Sequence, residues 1–439
     1  MKRTAIGLHA PHGSSSRGAS RSTSRFGYLL TLGFTIVACS AAATPAQKPA
    51  EAGPSQTAVK PVETATPPAK AVAPEPVAQA EEPAEPAEPA PKARQPLEMT
   101  FVGDIIFGRY RPDGYDPIPD PGYNPFTDIA ELIKADVLIG NLETPLVREL
   151  PVKSPIGAKF AFGASKTMAQ PLADAGFTAL SLANNHAFDQ REKGMKESPA
   201  ILNELGVLPL GASRTEEPVF RLETVTHDGW KLGVVAVTTR RNAPHREGSP
   251  ILPYLSTRDL AKTLVPLIQA GKQTHHAVMV VVHWGEEYAD TPNYVQVREA
   301  HAMIDAGAKL VIGHHAHVLQ GIERYGDGLI AYNLGNFLFE NTTPIPRLTG
   351  VLRVRLAPTK EAGCVDKVVF HPAYIKRTPT KHPVPATGGM GTRVRRRMLD
   401  VSTKFDVELR EEGEDLVLEG LSCGAEAKPP VDAKATSPG

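Results

Sequence analysis

The sequence of 439 residues is long enough for two average domains, and its 48 Lys and Arg balance its 48 Asp and Glu. A formal net charge of zero argues against a general electrostatic attraction to nucleic acid or to an anionic membrane surface, and we predict no nucleic-acid partner. The 41 prolines exceed the usual content of a globular fold, and many fall in one stretch. Ordered and disordered parts are therefore expected to be separate along the chain.

Residues 1–43 have the pattern of an export signal. A basic leader without Asp or Glu precedes the apolar segment FGYLLTLGFTIVA (26–38), which has the length of a signal-peptide core and is too short to span a bilayer. The sequence IVAC (36–39) resembles the bacterial lipobox, whose cysteine becomes the lipidated N-terminus. We predict an exported protein, lipid-anchored through Cys39 to a membrane of the cell envelope on its periplasmic or extracellular face. The alternative is an ordinary signal cleaved near the alanines at 41–43.

Residues 44–96 predict a disordered linker. The stretch EPVAQAEEPAEPAEPAPKARQP (75–96) is dominated by Pro, Ala and Glu. It cannot bury enough apolar surface to offset the entropy of ordering, and its prolines favour an extended, semi-stiff tether. The tail at 424–439 has the same character. We therefore predict one folded domain over residues 97–423.

The chain contains three cysteines, and Cys39 belongs to the predicted lipid-attachment site. The remaining two, Cys364 and Cys423, would form a disulfide in an exported protein, where such bonds persist. Two reduced and separate cysteines fit the sequence nearly as well, so the alternatives stay open.

Short apolar runs rich in β-branched residues predict seven buried strands in the folded part. The runs are MTFVG (99–103), DVLIG (136–140), TALSLA (178–183), LGVVAVT (232–238), AVMVVV (277–282), KLVIG (309–313) and GLIAYN (328–333). Continuous apolar runs, rather than strict alternation, are typical of strands covered on both faces. Between them, 166–176 ends in a glycine stop and 295–308 has apolar positions spaced three and four apart, so both predict helices. The pattern predicts an α/β domain with a largely parallel central sheet.

Polar side chains that can bind a metal follow six of these runs. They are Asp104; Asn141 and Glu143; Asn184, Asn185, His186 and Asp189; His283, Glu286 and Glu287; His314, His315 and His317; and Asn333 and Asn336. Because ligands bind outside the carboxyl ends of strands in open α/β sheets, we expect these side chains to converge. Turn chemistry explains one such strand end easily, but not six.

The types of ligand and one spacing between histidines indicate which metals the expected site would bind and which side chains would face it. Carboxylate, amide and imidazole groups without cysteine favour Mn, Fe or Zn in a site unlike a thiolate structural zinc site. The spacing from His315 to His317 would place both rings on one side of an extended chain. His314 would then point the other way, towards packing or a supporting hydrogen bond.

Six segments, in chain order, resemble the serial motifs of the CapA family, which is associated with poly-γ-glutamate capsule synthesis in bacteria. They are FVGDIIFGR (101–109), GNLETPL (140–146), LANNHAFDQREKG (182–194), HWGEEY (283–288), GHHAHVLQ (313–320) and NLGNFLF (333–339). CapA proteins are similar to the calcineurin-like metallophosphoesterases. The resemblance therefore implies a layered α/β sandwich with largely parallel central sheets and a two-metal site.

The resemblance also implies roles for individual residues. The implied metal ligands are Asp104, Glu143, Asn185, His283, His315 and His317, for one or two ions of Mn, Fe or Zn. His186 or Glu287 would handle the proton. Ile106 stands where the metallophosphoesterases have a ligating His, so the number of ions and catalytic turnover stay open. Arg109 could supply positive charge there and bind an anionic substrate through its planar fork.

Two functions are compatible with these features. The first is a metal-dependent hydrolase or transferase acting on an anionic polymer such as poly-γ-glutamate, or on its anchoring bond. The alternative is a non-catalytic accessory that binds the polyanion and assists its export. Either would work at a membrane through the lipid anchor, with other capsule synthesis proteins as candidate partners. The arginines at 393 and 395–397 are expected to form a solvated helix face, with polymer contact as the alternative.

Overall fold

A computed structural model describes the chain from residue 93 to residue 423. Short gaps in this range fall at 158–159, 213–218, 245–249, 341–342, 361, 406, 420 and 422. The predicted signal segment, the linker up to residue 92 and the predicted tail lie outside the described residues. Within the described part, no helix is long and apolar enough to cross a bilayer.

The first sheet combines a parallel half with an antiparallel half. Its strands, numbered in chain order, are β1 (Leu97–Ile105), β4 (Val137–Leu142), β8 (Ala179–Ser181), β9 (Leu208–Leu210), β16 (Asn336–Leu338), β17 (Leu348–Pro358), β18 (Gly363–Lys376), β19 (His382–Pro385), β20 (Leu409–Glu412) and β21 (Asp415–Leu418). The order across the sheet is β20-β21-β18-β17-β1-β4-β8-β9, with β16 beside β1 and β19 beside β18. The strands β1, β4, β8 and β9 are parallel, whereas β17, β18, β21 and β20 are antiparallel.

The second sheet is parallel at its centre and antiparallel at its edges. Its strands are β10 (Glu223–His227), β11 (Trp230–Thr238), β12 (Ala277–His283), β13 (Leu310–His314), β14 (Ile322–Tyr325) and β15 (Gly328–Ala331), in the order β10-β11-β12-β13-β15-β14. Shorter pairings join β2 (Gly108–Arg111) with β3 (Gly114–Pro117) and β6 (Ala161–Phe162), and β5 (Leu146–Val147) with β7 (Ala164–Ser165).

Helices pack against both sheets. They are α1 (Ala130–Ile133), α2 (Lys166–Asp174), α3 (Arg191–Glu204), α4 (Leu260–Lys272), α5 (Tyr294–Asp305) and α6 (Gly388–Ser402). The helix α5 begins with a capping box in which Asn293 and Gln296 satisfy each other's backbone N–H groups. The helix α2 begins at the cap residue Ser165 and is followed by Gly176 with φ of +80°. Both helices predicted from the sequence are therefore present.

The two sheets pack face to face, with α1 to α5 outside them and α6 against the core that the sheets share. In β12, Met279 and Val281 pack between the sheets, whereas Val280 and Val282 pack with residues of α4 and α5. The first sheet likewise packs its outer face against α2 and α3. Burial on both faces explains the continuous apolar runs, since each fully buried side chain of this size contributes about 1.5–3 kcal/mol. The prediction of a layered α/β sandwich is confirmed.

All seven predicted strands are present, and they divide between two central sheets. The runs became β1, β4 and β8 in the first sheet and β11, β12, β13 and β15 in the second. The antiparallel half of the first sheet was not predicted. Apolar runs report burial on two faces and do not reveal which sheet a strand joins.

Cys364 and Cys423 form a disulfide. The bond joins the start of β18 to the segment that follows β21. The sequence was compatible with a disulfide or with two separate reduced cysteines, and the structure shows the disulfide.

Candidate metal centre

The carboxyl ends of strands from both sheets meet at one place. Asp104 and Asn141 lie in register on β1 and β4 of the first sheet, and His283 ends β12 of the second. The amide nitrogen of Asn141 donates to Oδ1 of Asp104 (2.9 Å) and lies 3.3 Å from Nδ1 of His283. The polar residues that follow the predicted strands therefore converge across the two sheets.

Asp104, Glu143 and His283 form a wholly buried group, named here the inner trio. One ligand atom from each lies within 4.8 Å of the others, an arrangement that can hold a metal ion. The residues are 0%, 0% and 1% exposed, respectively. Nε2 of His283 also lies 2.9 Å from Oδ1 of Asn185, so this amide oxygen faces the same space. Four of the six predicted ligands thus belong to one buried cluster.

Glu287, His315 and His317 form a second group, named here the outer trio. Their ligand atoms again lie within 4.8 Å of one another, but Glu287 is exposed. Oδ2 of Asp104 is 3.2 Å from Nδ1 of His317, so Asp104 connects the two trios. The geometry groups Glu287, predicted as a proton carrier, with candidate ligands.

The backbone at His315 and His317 differs from the extended chain expected from their spacing. The strand β13 ends at His314, and His315 and His317 have left-handed φ values of +95° and +58°. Such conformations cost free energy in non-glycine residues and cluster at functional sites. The N–H of His315 donates to Oδ2 of Asp104 (3.2 Å), which helps to hold this turn.

The expectation that His314 points away from the site is also wrong. His314 pairs in register with His283, and laterally paired residues of neighbouring strands face the same side of a sheet. Its Nδ1 lies 3.3 Å from Oδ1 of Asp104. His314 therefore belongs to the surroundings of the inner trio.

His186 lies beside the centre in a contact that orients its ring. Its Nδ1 is 2.7 Å from Oδ2 of Asp189, an oxygen that also accepts the N–H of Phe162 (2.8 Å). The ring of Phe162 packs on the imidazole with centroids 4.1 Å apart. This arrangement leaves Nε2 as the ring nitrogen of His186 that Asp189 does not engage.

The two carboxyl groups of the inner trio have opposite pKa shifts. Burial alone would raise the pKa of Asp104, but hydrogen bonding and charge attraction from His314 and His317 hold it well below its usual value. Burial, and then repulsion from Asp104, raise the pKa of Glu143 well above its usual value. Close carboxyl groups do not both ionise easily in a buried site. Without a cation, Glu143 therefore keeps its proton more readily than Asp104.

The imidazoles also differ in their protonation. Burial, and then the positive charge of His317, lower the pKa of His315 to about 3. Burial and the neighbouring His315 lower the pKa of His283 well below its usual value. Burial opposes charging of His317 too, but Glu143 and Asp104 outweigh it and raise its pKa to about 9. Of these three rings, His317 is therefore the one that takes up a proton most readily in the metal-free cluster.

Two buried atoms of the cluster fit a metal ion. Oε2 of Glu143 and Nδ1 of His315 have no hydrogen-bond partner among the described residues. Buried polar atoms without a partner cost free energy, and oxygen and nitrogen lone pairs are what a borderline divalent cation accepts. The residues present can therefore hold a metal ion.

Arg109 and Glu286 are not brought into the cluster. The guanidinium of Arg109 forms an ion pair with Glu340, and Glu286 forms one with Arg240. Ile106 is fully buried, and its apolar side chain offers no ligand atom. Arg109 lies at the rim of the centre, next to the aromatic residues that line it.

Asn336, one of the polar residues that follow the predicted strands, contacts the outer trio. Its Oδ1 lies 2.9 Å from Nδ1 of His317, and its Nδ2 donates to the backbone oxygens of His317 (3.2 Å) and Pro346 (3.3 Å). The amide therefore orients the His317 ring from the first sheet. Its place after β15 in the motif NLGNF was the signal that could have revealed this role.

The arginines of α6 have largely structural contacts. Arg395 binds Glu411 (3.0 Å) and Glu414 (2.5 Å), and Arg397 binds Asp290 (2.7 Å). These pairs tie α6 to its neighbours.

The fold and this cluster define an α/β sandwich protein with a candidate metal centre at the carboxyl ends of its parallel strands. The chain matches the family described as "Bacterial capsule synthesis protein PGA_cap" over residues 98–341, more than half of its length, and it belongs to this family. The membership predicted from the CapA-like motifs is confirmed. The match ends before β17, so the antiparallel half of the first sheet lies outside it.

Two relatives have similar sequences. The chain is 31% identical over 258 residues to "Capsule biosynthesis protein CapA" of Bacillus anthracis, covering 57% of this chain and 61% of the relative. It is 32% identical over 256 residues to "PGA biosynthesis protein CapA" of Bacillus subtilis (strain 168), covering 56% and 63%, respectively. The match thus spans about three fifths of the length of these relatives. Among solved structures, a hypothetical protein from Thermus thermophilus has a TM-score of 0.35 at 19% identity, covering 66% of this chain and 98% of that one.

Proposed function

We propose that this protein takes part in capsule biosynthesis as a metal-dependent hydrolase or transferase. Its substrate would be an anionic polymer of the poly-γ-glutamate type or the bond that anchors it. The observation that carries the proposal is the pair of ligand trios joined by Asp104, with His186 beside them. The relatives named CapA support the capsule assignment.

Two groups of residues would have separate roles, one in binding metal and the other in transferring a proton. Asp104, Glu143, His283 and Asn185 would hold one ion of Mn, Fe or Zn, and Glu287, His315 and His317 a second. A bound ion would polarise the scissile carbonyl or phosphoryl group and lower the pKa of water.

His186 would deliver a proton from Nε2 to the leaving group. Asp189 holds the opposite ring nitrogen, and the ring of Phe162 packs on the imidazole and helps to orient it. Burial of the surrounding centre excludes bulk water and strengthens these interactions.

The protein would act on the periplasmic or extracellular face of the envelope, tethered by a lipid on Cys39. The basic leader, the apolar segment and the lipobox-like sequence support this location. Other capsule synthesis proteins would then be neighbours in the same membrane. Mass spectrometry of the N-terminus from cells tests this: a diacylglyceryl Cys39 is expected, and an N-terminus near residues 41–43 would contradict it.

A non-catalytic polyanion-binding accessory is the second candidate, favoured by the buried Ile106 at a position from which no ligand reaches the centre. Metal analysis and substrate assays of the full chain, beside His283→Ala, separate the two. Bound metal and cleavage of γ-glutamyl or ester bonds, both lost in the variant, support the enzyme. Polymer binding that persists with a chelator and weakens in salt, without cleavage, supports the accessory.

A further inference from the structure

A carboxylate held by two guanidinium groups lies next to the metal centre. Glu340 forms ion pairs with both Arg109 and Arg111. The side chains of Arg109 and Glu340 are 13% and 12% exposed, so this pair is largely withdrawn from solvent. Two planar forks on one carboxylate form a strong and directional binding arrangement for that group.

The arginine pair is separated from the metal centre by one layer of aromatic side chains. Arg109 pairs in register with Phe162, whose ring packs on His186. Glu340 directly follows Phe339, whose ring centroid lies 4.8 Å from that of His317. The rings of Phe162 and Phe339 are themselves 6.0 Å apart. A chain-like substrate lying along these rings would reach both the arginines and the centre.

The charges around Glu340 favour another carboxylate. Arg111 also binds Asp116 (2.7 Å), and Lys381 lies 3.7 Å from the same aspartate. Without Glu340, the carboxylate of Asp116 would be left to balance the charges of Arg109, Arg111 and Lys381. Nε of Arg109 is buried without a hydrogen-bond partner in the described part of the chain, so a donor is still unused.

We propose that Arg109 and Arg111 form a subsite for a carboxylate of the polymer substrate, and that Glu340 occupies this subsite until the substrate displaces it. The inference rests on the proposed function, since it places the polymer along the aromatic layer with its scissile bond at the metal centre. A substrate carboxylate replaces the Glu340 carboxylate with equivalent charge and hydrogen bonds, while Glu340 turns to solvent. A neutral polymer cannot make this exchange, so the subsite selects acidic chains.

Binding of a defined poly-γ-glutamate oligomer to the metal-loaded full chain tests the subsite. We expect Glu340→Gln to tighten binding several-fold, because the internal competitor loses its charge. We expect Arg109→Gln to weaken binding by about 10-fold or more, the usual consequence of losing a charge-assisted hydrogen bond. An oligomer with amidated carboxylates should bind weakly and equally to all forms. Glu204→Gln and Arg148→Gln, which disrupt an exposed ion pair elsewhere, are the matched controls.

Three results would overturn the subsite. Weaker binding in Glu340→Gln, parallel to Arg109→Gln, would mean that Glu340 only positions the arginine. Unchanged binding in Arg109→Gln with metal retained would remove the arginine from recognition. Failure of both the wild type and Glu340→Gln to bind the acidic oligomer would exclude a carboxylate substrate here. Failure of the proposed catalysis is a separate result, since it would show as binding without cleavage in the metal-loaded wild type.

Discussion

The inner and outer trios offer similar ligand atoms but differ in depth and in how the backbone places them. Asp104 and His283 of the inner trio lie at the ends of β1 and β12, and the trio is wholly buried. The outer trio lies on turns, with His315 and His317 in left-handed conformations and Glu287 exposed. The inner trio is therefore built into the sheets, whereas the outer trio depends on loop geometry and reaches solvent through Glu287.

The largest expected effect follows from the residue that connects the trios. Asp104→Ala should abolish metal binding and destabilise the fold by about 3–5 kcal/mol, because it leaves the cationic His317 without its buried partner. Metal analysis and thermal unfolding measure both effects. Asp327→Ala, at an exposed ion pair with Lys309, is the control. Full metal content in Asp104→Ala would refute the link between the trios.

Removing one histidine from each trio separates their contributions. We expect two ions per chain in the wild type and one in each of His283→Ala and His317→Ala, because each trio loses a ligand while the other keeps its set. Hydrolysis should fall by about 100-fold or more in both, the order found when charge stabilisation is lost. Elemental analysis beside activity assays checks this. A single ion that depends on His283 alone would exclude the outer trio as a ligand set.

Changing Glu143 or Glu287 to glutamine tests the difference in burial between the inner and outer trios. In the metal-free protein, Glu143→Gln should cost less stability than Asp104→Ala, because burial favours the protonated carboxyl that glutamine resembles. The same change should nevertheless remove the inner ion, which needs the carboxylate. Glu287→Gln, at an exposed position, should shift stability by less than about 0.5 kcal/mol and weaken only the outer ion. Unfolding curves and chelator titrations compare the two variants.

The two histidines of the outer trio give the metal-free protein opposite dependences of stability on pH. His315 has a pKa of about 3 in the fold against the usual 6.5, so the unfolded chain binds more protons between these values and stability rises with pH there. His317 has a pKa of about 9, so its contribution is lost as pH rises from 6.5 through 9. Each proton contributes at most about 1.4 kcal/mol per pH unit.

Single substitutions show which histidine causes each slope of stability against pH. His315→Gln should flatten the rise below pH 6.5, and His317→Gln should flatten the fall above it. Unfolding in denaturant across this pH range, with a chelator present, measures both curves. Identical curves for the two variants would contradict the assigned pKa directions.

The inner trio was easier to predict than the outer one, for a physical reason. Asp104 and His283 follow apolar runs, which can be recognised from neighbouring residues in the sequence alone. Parallel strands then bring the carboxyl ends of these runs to one place. The left-handed turn at His315 and His317 has no such signal, since a non-glycine residue adopts it only under tertiary constraint. Glu287 and Glu340 lie beyond strand ends in segments whose direction is set by packing.

The sequence by itself determined the buried strands, the polar residues at their ends and the family motifs, because periodicity and residue chemistry are local properties. Only the tertiary structure decided that the strands divide between two sheets, that Asp104 links two trios, and that Glu340 holds Arg109. These features join residues far apart in the chain, and their contacts depend on how the two sheets pack over a shared core.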